Sequence, residues 1–189
     1  MSRSIRHHTC LKTKSVSNSW PPDAGWRSRP DMDPRGTAIF RASIVARARF
    51  IEDLVVEQAA CGVGQYVILG AGLDTFAQRR PEVASQLKVF EGDQAGPQAW
   101  KPRRLCQLGF AIPEWLRFVP VDFEASGSWR ENLKNAGFDS KSAAFLASTG
   151  VSMYLTNDAI AATLGQIAEF ASGSALAMTF ILPTAFAEP

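Results

Sequence analysis

Four short stretches carry residues that could do chemistry together. The first is Tyr66-Val67-Ile68-Leu69-Gly70-Ala71-Gly72-Leu73-Asp74-Thr75, an apolar run that leads straight into a glycine turn. Glycines at such a bend let a ligand approach bare backbone. The second is Glu91-Gly92-Asp93, with Asp93 about 20 residues beyond the turn, the distance at which an acid commonly accepts from both ribose hydroxyls. The third is Asp122-Phe123, a carboxylate beside a ring, suited to an adenine amino group and its flat face. The fourth is Tyr154, a candidate substrate-facing group, although a Tyr at such a place often only packs.

Together these residues suit an adenosine-containing ligand, and Asp74 narrows the choice. A dinucleotide loop wants small uncharged groups there, and Gly or Ala where Thr75 stands. Two like charges about 4 Å apart cost about 4 kcal/mol at an effective dielectric of about 20. A pyrophosphate is therefore disfavoured, whereas an ammonium or sulfonium is welcome. Each feature also has a plain structural use: a GxG bend closes many strands, and Asp after a strand commonly caps a helix.

The elements that must position these residues alternate. Strands are expected at 66–69, 87–91, 117–121, 143–147 and 175–182. Helices are expected at 34–60, 75–79 (ended by Pro81), 95–108 and 129–136, and from a Thr156 cap to Gly173. In the first helix Ile44, Ala48, Ile51 and Val55 form the apolar stripe, with Glu52, Asp53 and Glu57 largely off it. Pro102 should kink or shorten the 95–108 helix. The alternation predicts an α/β fold, a mostly parallel sheet covered by helices on both faces. Residues 1–33 read as an irregular tail, and residues 34–189 as one domain.

Composition excludes several classes. The 189 residues have a net charge of +2, with 46% hydrophobic and 20% charged residues. No strong field invites nucleic acid, and no long apolar run invites a membrane span. Cys10, Cys61 and Cys106 are far apart and lack metal-ligand spacing, and the side chains of His7 and His8 diverge, so no metal site is expected. The same cysteines fit a reducing, cytoplasmic compartment, and no secretory leader is expected.

The turn resembles the signature of the leucine carboxyl methyltransferase family and its bacterial S-adenosylmethionine-dependent members. The resemblance continues through Val89-Phe90-Glu91-Gly92-Asp93-Gln94, Gln98-Ala99-Trp100-Lys101, Phe118-Val119-Pro120-Val121-Asp122-Phe123-Glu124, Ala136-Gly137-Phe138-Asp139 and Gly150-Val151-Ser152-Met153-Tyr154-Leu155-Thr156. It implies a Rossmann-like class I methyltransferase fold with S-adenosyl-L-methionine as cofactor. By that resemblance Gly70 and Gly72 line the donor's methionine portion. Asp93, with Glu91 beside it, takes the ribose, and Asp122 and Phe123 border the adenine. Arg47, otherwise a solvated helix position, pairs with the donor's carboxylate. Departures are Phe76 for a usual Arg, Thr149 for a frequent Glu, and Gly92 for a branched residue. Family members also continue for several dozen residues past the last strand, so a truncated form lacking the last strands, with an apolar edge at 175–182, is expected.

The expected activity is methyl transfer to an oxygen nucleophile, carboxyl or hydroxyl, on an acceptor the sequence does not name. A carboxylate acceptor is already ionised and needs no strong base. The alternatives are an NAD(P)-dependent Rossmann oxidoreductase and an inactive methyltransferase remnant.

Overall fold

The computed structural model describes Gly25 and residues 28–30, 33–125 and 127–181. The chain divides into two compact units, Met1–Ile39 and Phe40–Pro189. Most of the expected 1–33 tail, including His7, His8 and Cys10, lies outside the described residues. In the first unit Asp33 organises a turn: Gly36 N donates to its Oδ2 at 2.7 Å, and Thr37 Oγ1 donates to its carbonyl at 2.6 Å.

The elements follow in order α1 (Ala38–Ala60), β1 (Gln65–Leu69), α2 (Phe76–Arg79), α3 (Pro81–Ala84), β2 (Lys88–Asp93) and α4 (Ala95–Gln107). Then come β3 (Leu116–Pro120), α5 (Trp129–Asn135), β4 (Phe145–Ser148), a 3₁₀ turn (Ser152–Tyr154), α6 (Asn157–Ala168) and β5 (Ala175–Met178). Among the described residues five strands make one sheet in the order β3-β2-β1-β4-β5, and every pairing there is parallel. This is the expected Rossmann-like α/β architecture. Its order reverses between β1 and β4, where such sheets open a crevice at their carboxyl ends.

Strand β1 explains why the sheet sits where it does. All five of its residues are buried, as a central parallel strand with both faces covered requires. Its side chains alternate between two cores. Tyr66 and Ile68 join Val89, Leu116, Phe145 and Ala147 on one face, under Ile51 and Val55 of α1, Phe76 of α2 and Ala84 of α3. Val67 and Leu69 join Phe90, Val119 and Leu146 on the other, against Trp129 and Leu133 of α5 and Ile167 of α6. Gln65 is buried at the strand's start, but its amide donates to Asp139 O at 2.9 Å and accepts from Asp139 N at 2.8 Å.

The structure corrects several boundaries. Strand β2 runs to Asp93, two residues beyond its expected end, because it pairs with both β1 and β3. Pro81 ends α2 and starts α3 at once, since a proline at the first helical position gives up no needed donor. Ile44 of the expected stripe is 38% exposed, and Glu52, expected off it, is buried. The 23 residues of α1 reach about 35 Å. The five of β1 reach only about 16 Å. The residues that α1 buries are Ile51, Glu52 and Val55, so its turns from Phe40 to Arg47 overhang the part that the sheet grips.

Helix α4 passes through Pro102 without a break. Both turns around the proline are pinned to β2: Gln98 Nε2 donates to Glu91 O at 3.0 Å, and Lys101 Nζ binds the Glu91 carboxylate. Helix α6 begins at the predicted Thr156 cap, whose hydroxyl accepts from Ala159 N at 3.2 Å. Glu124 in turn accepts from the Thr156 amide and hydroxyl at 2.7 and 2.9 Å.

Pro102 withholds a helical donor, so Pro102→Ala should stabilise the chain by about 1–3 kcal/mol in denaturant unfolding. An unchanged or lowered midpoint would mean that the proline is better accommodated than its place in α4 suggests.

Candidate functional site

The glycine turn is built by backbone that only glycine tolerates. Gly70 and Gly72 have φ of 72° and 46°. A Cβ at Gly70 would collide with Val151 Cγ2, so the bend and the neighbouring loop after β4 fit only without one. Gly70 N and Ala71 N both donate to Gly92 O, at 2.8 and 3.0 Å, which zips the turn to the end of β2. Gly92 is itself tight: a Cβ there would meet Ile68 O and Val121 Cγ2 at 3.4 Å.

Asp93 closes the same junction. Its Oδ2 accepts from Gly72 N and its Oδ1 from Gln94 N at 2.7 Å, yet the residue stays half-buried with lone pairs to spare. Asp74 N donates to Ala71 O at 2.7 Å, and the Asp74 carboxylate accepts from Phe76 N at 2.7 Å, holding α2. One Asp74 oxygen thus does the capping work, and the side chain remains half-exposed beside the turn.

Arg47 comes from the overhang of α1. Its Nη2 lies 3.6 Å from where a Cβ on Gly150 would stand, at the carboxyl end of β4. Sheet register sets Leu69 opposite both Gly92 and Ser148, so the loops bearing Gly70, Asp93 and Gly150 leave the sheet at one level. Asp122 follows β3 in the same row. It is exposed, and its Oδ1 accepts from Glu124 N at 2.9 Å. Tyr154 sits in the 3₁₀ turn after β4 and is 80% exposed, not packed.

Two expected site residues are placed elsewhere. The Phe123 ring is buried, edge-on to Trp129 with centroids 6.4 Å apart, so it offers no open face to a base. Glu91 is fully buried on β2 and paired with Lys101, not beside Asp93 at the surface. The reason is the added length of β2, which puts Glu91 opposite Ile68 inside the sheet. Among the described residues its Oε1 has no hydrogen-bond partner. Burial pushes the Glu91 carboxyl up to about 7, against the opposing pull of Lys101 and with help from Asp74 and Asp93.

Sequence reasoning missed Lys101, Gln98 and Glu52. Lys101 also stands over the Phe118 ring at 6.0 Å. Glu52 is paired with Arg79, and Arg80 Nη1 lies 3.9 Å from its second oxygen. Acids on a helix beside an apolar stripe read as solvated, and only Arg79-Arg80 in the turn after β1 hinted otherwise. Among the described residues no group of three or more His, Cys, Asp or Glu is arranged to hold a metal. No described helix is long and apolar enough to cross a membrane.

The sequence profile of the leucine carboxyl methyltransferase family matches residues 11–168. The chain belongs to the leucine carboxyl methyltransferase family. The match begins inside the segment that composition marks as a tail. A Bacillus subtilis relative, named "Putative S-adenosyl-L-methionine-dependent methyltransferase YktD", is 38% identical over 123 residues, 65% of this chain and 40% of the relative. A Mycobacterium tuberculosis relative with the same functional name is 33% identical over 165 residues, 87% of this chain and 50% of its own. A Mycobacterium avium relative is 34% identical over 161 residues, covering 84% and 52%. The chain thus spans about half the length of the curated relatives it matches. A solved structure of an O-methyltransferase family protein from Burkholderia thailandensis superposes with a TM-score of 0.49 at 15% identity, over 88% of this chain and 48% of that one.

The raised Glu91 carboxyl makes the stability of the fold depend on pH. The folded chain holds its proton up to about pH 7, while the unfolded chain releases it near 4.5. Its contribution is fully present below 4.5 and is lost as pH rises through 7. Glu91→Gln, which stays neutral, should match the wild type in thermal unfolding at pH 4.5 and become the more stable of the two by pH 8. The gap should reach about 1–3 kcal/mol, since a tenfold change in proton affinity is worth about 1.4 kcal/mol. Parallel pH profiles for the two proteins would show that Lys101 keeps Glu91 ionised throughout.

Proposed function

We propose that this chain binds S-adenosyl-L-methionine across the carboxyl ends of β1, β2 and β4 and serves methyl transfer. The observation that carries the reading is the convergence of bare backbone at Gly70 and Gly72, the half-buried Asp93 carboxylate and the Arg47 guanidinium on one edge of the sheet. Family membership supports it, and the relatives' names point the same way.

The donor supplies an electrophilic methyl group on its sulfonium. The protein's part is to bind and orient. Asp93 has acceptor capacity left for ribose hydroxyls once Gly72 and Gln94 are served. The guanidinium fork of Arg47 is matched to the donor's carboxylate, and among the described residues no acid competes for it. The half-exposed Asp74 favours the ammonium electrostatically. Asp122 is open to an adenine amino group, whereas at position 123 only the backbone is left for the base.

The acceptor is an oxygen nucleophile, carboxyl or hydroxyl, and it approaches from the side of the exposed Tyr154. With a carboxylate no dedicated base is needed. Acceptors outside the small-molecule or carboxylate-bearing class, nucleic acid among them, are not part of this reading. NAD(P) is disfavoured by Asp74 at the turn, where a pyrophosphate would have to lie.

Titration calorimetry tests the donor site. S-adenosylhomocysteine should bind the wild type and NADH should not. Asp93→Ala should weaken the binding by about tenfold to 100-fold, the loss expected for hydrogen bonds to a charged acceptor. Equal S-adenosylhomocysteine affinity in wild type and Asp93→Ala would remove Asp93 from the ribose, and NADH binding alone would overturn the donor.

A further inference from the structure

The overhanging half of α1 poses a positioning problem. Arg47 must be held against Gly150 by a helix whose apolar grip, at Ile51 and Val55 with Leu54 and Ala59 beside them, lies wholly on its C-terminal side. Apolar burial is non-directional, so it does not by itself fix the angle at which the helix presents Arg47. About one and a half turns beyond Arg47 stands Glu52, a carboxylate only 6% exposed.

Glu52 Oε1 is paired with Arg79 Nη1, at the end of the short helix that leaves the glycine turn. The same guanidinium donates through Nε to Thr75 Oγ1 at 2.8 Å. Thr75 follows Asp74 directly, and Thr75 O accepts the backbone amide of Arg79 at 2.9 Å. The second Glu52 oxygen faces Arg80 Nη1 at 3.9 Å, and Arg80 is itself held by Glu82 Oε1 at 2.6 Å. One guanidinium thus bonds the Arg47 helix through Nη1 and the turn through Nε, in a plane that its own rigidity fixes. Such a pair adds little net stability, so its part here is sought in geometry.

We propose that Glu52 and Arg79, acting through Thr75, are positioning residues that set Arg47 at a fixed distance from the glycine turn and so tune recognition of the donor's amino-acid end. This rests on the donor reading above. The strut touches neither ribose nor base, so its loss should be felt selectively. Ligands that carry an α-carboxylate should suffer, and a nucleoside thioether without one should not.

The test titrates S-adenosylhomocysteine and 5′-methylthioadenosine, which shares the nucleoside and lacks the amino-acid end, into the wild type, Glu52→Gln and Thr75→Val. Glu52→Gln should lose about tenfold or more in S-adenosylhomocysteine affinity, the scale of one charge-assisted hydrogen bond, with 5′-methylthioadenosine affinity unchanged. Thr75→Val removes only one limb of the strut and keeps the buried charges paired. It should show the same selectivity to a smaller degree, and it decides the matter if Glu52→Gln does not fold. Equal losses for both ligands would mean that the pair serves folding alone, and no loss for either would mean that Arg47 is held without it; each result overturns the proposal. A wild type that binds 5′-methylthioadenosine but gains nothing from the amino-acid end sinks the strut and leaves the adenosine site standing. A wild type that binds neither ligand sinks the donor reading, and the strut with it.

Discussion

The Gly92 carbonyl is the point on which this site turns. It accepts from Gly70 N and Ala71 N, while the next residue, Asp93, accepts from Gly72 N. Three successive amides of the turn are thereby satisfied by the end of the neighbouring strand. Without that zip the amide of the buried Ala71 would be left unpaired, at a cost of about 1–3 kcal/mol, and those of the half-buried Gly70 and Gly72 would lose their partners. With it, the turn cannot shift unless β2 shifts too.

Every other feature of the strand ends takes its position from this junction. Parallel register carries the level of Gly92 through Leu69 to Ser148, and the loop after β4 then brings Val151 against Gly70 and Gly150 beneath Arg47. Below the junction β2 is held by a buried pair, Glu91 with Lys101, and by the Gln98 amide on the Glu91 carbonyl. These interactions tie α4 to the strand that carries the ribose acid. They also let the helix run on through Pro102, where local preference alone would break it. Polar groups here act as fasteners between elements, and the two apolar cores supply the bulk of the driving force.

The two buried carboxylates, Glu52 and Glu91, divide the labour on one face of the sheet. Glu91 meets an ammonium that also stands over an aromatic ring, and burial dominates its proton affinity. Glu52 meets two guanidinium groups. Glu52 connects α1 to the segment that leaves the glycine turn, Glu91 connects α4 to β2, and neither lies at the surface of the candidate site.

The sequence by itself determined the alternation of strands and helices, and hence the parallel sheet, because periodicity and glycine or proline punctuation are local properties. It also determined the bend at Gly70 and Gly72, since a positive φ demands glycine whatever surrounds it. The family was legible from an ordered series of motifs. Only the tertiary structure decided which acids are exposed. Glu91 and Asp93 are two residues apart with like chemistry, and the extra length of β2, set by pairing with its neighbours, buries the first and leaves the second at the rim. Likewise Phe123 turns into the core because Trp129 is there to meet it, and Glu52 is drawn in by Arg79, 27 residues away. Depth in a sheet and pairing across elements depend on what packs alongside, and that information is spread over the whole chain.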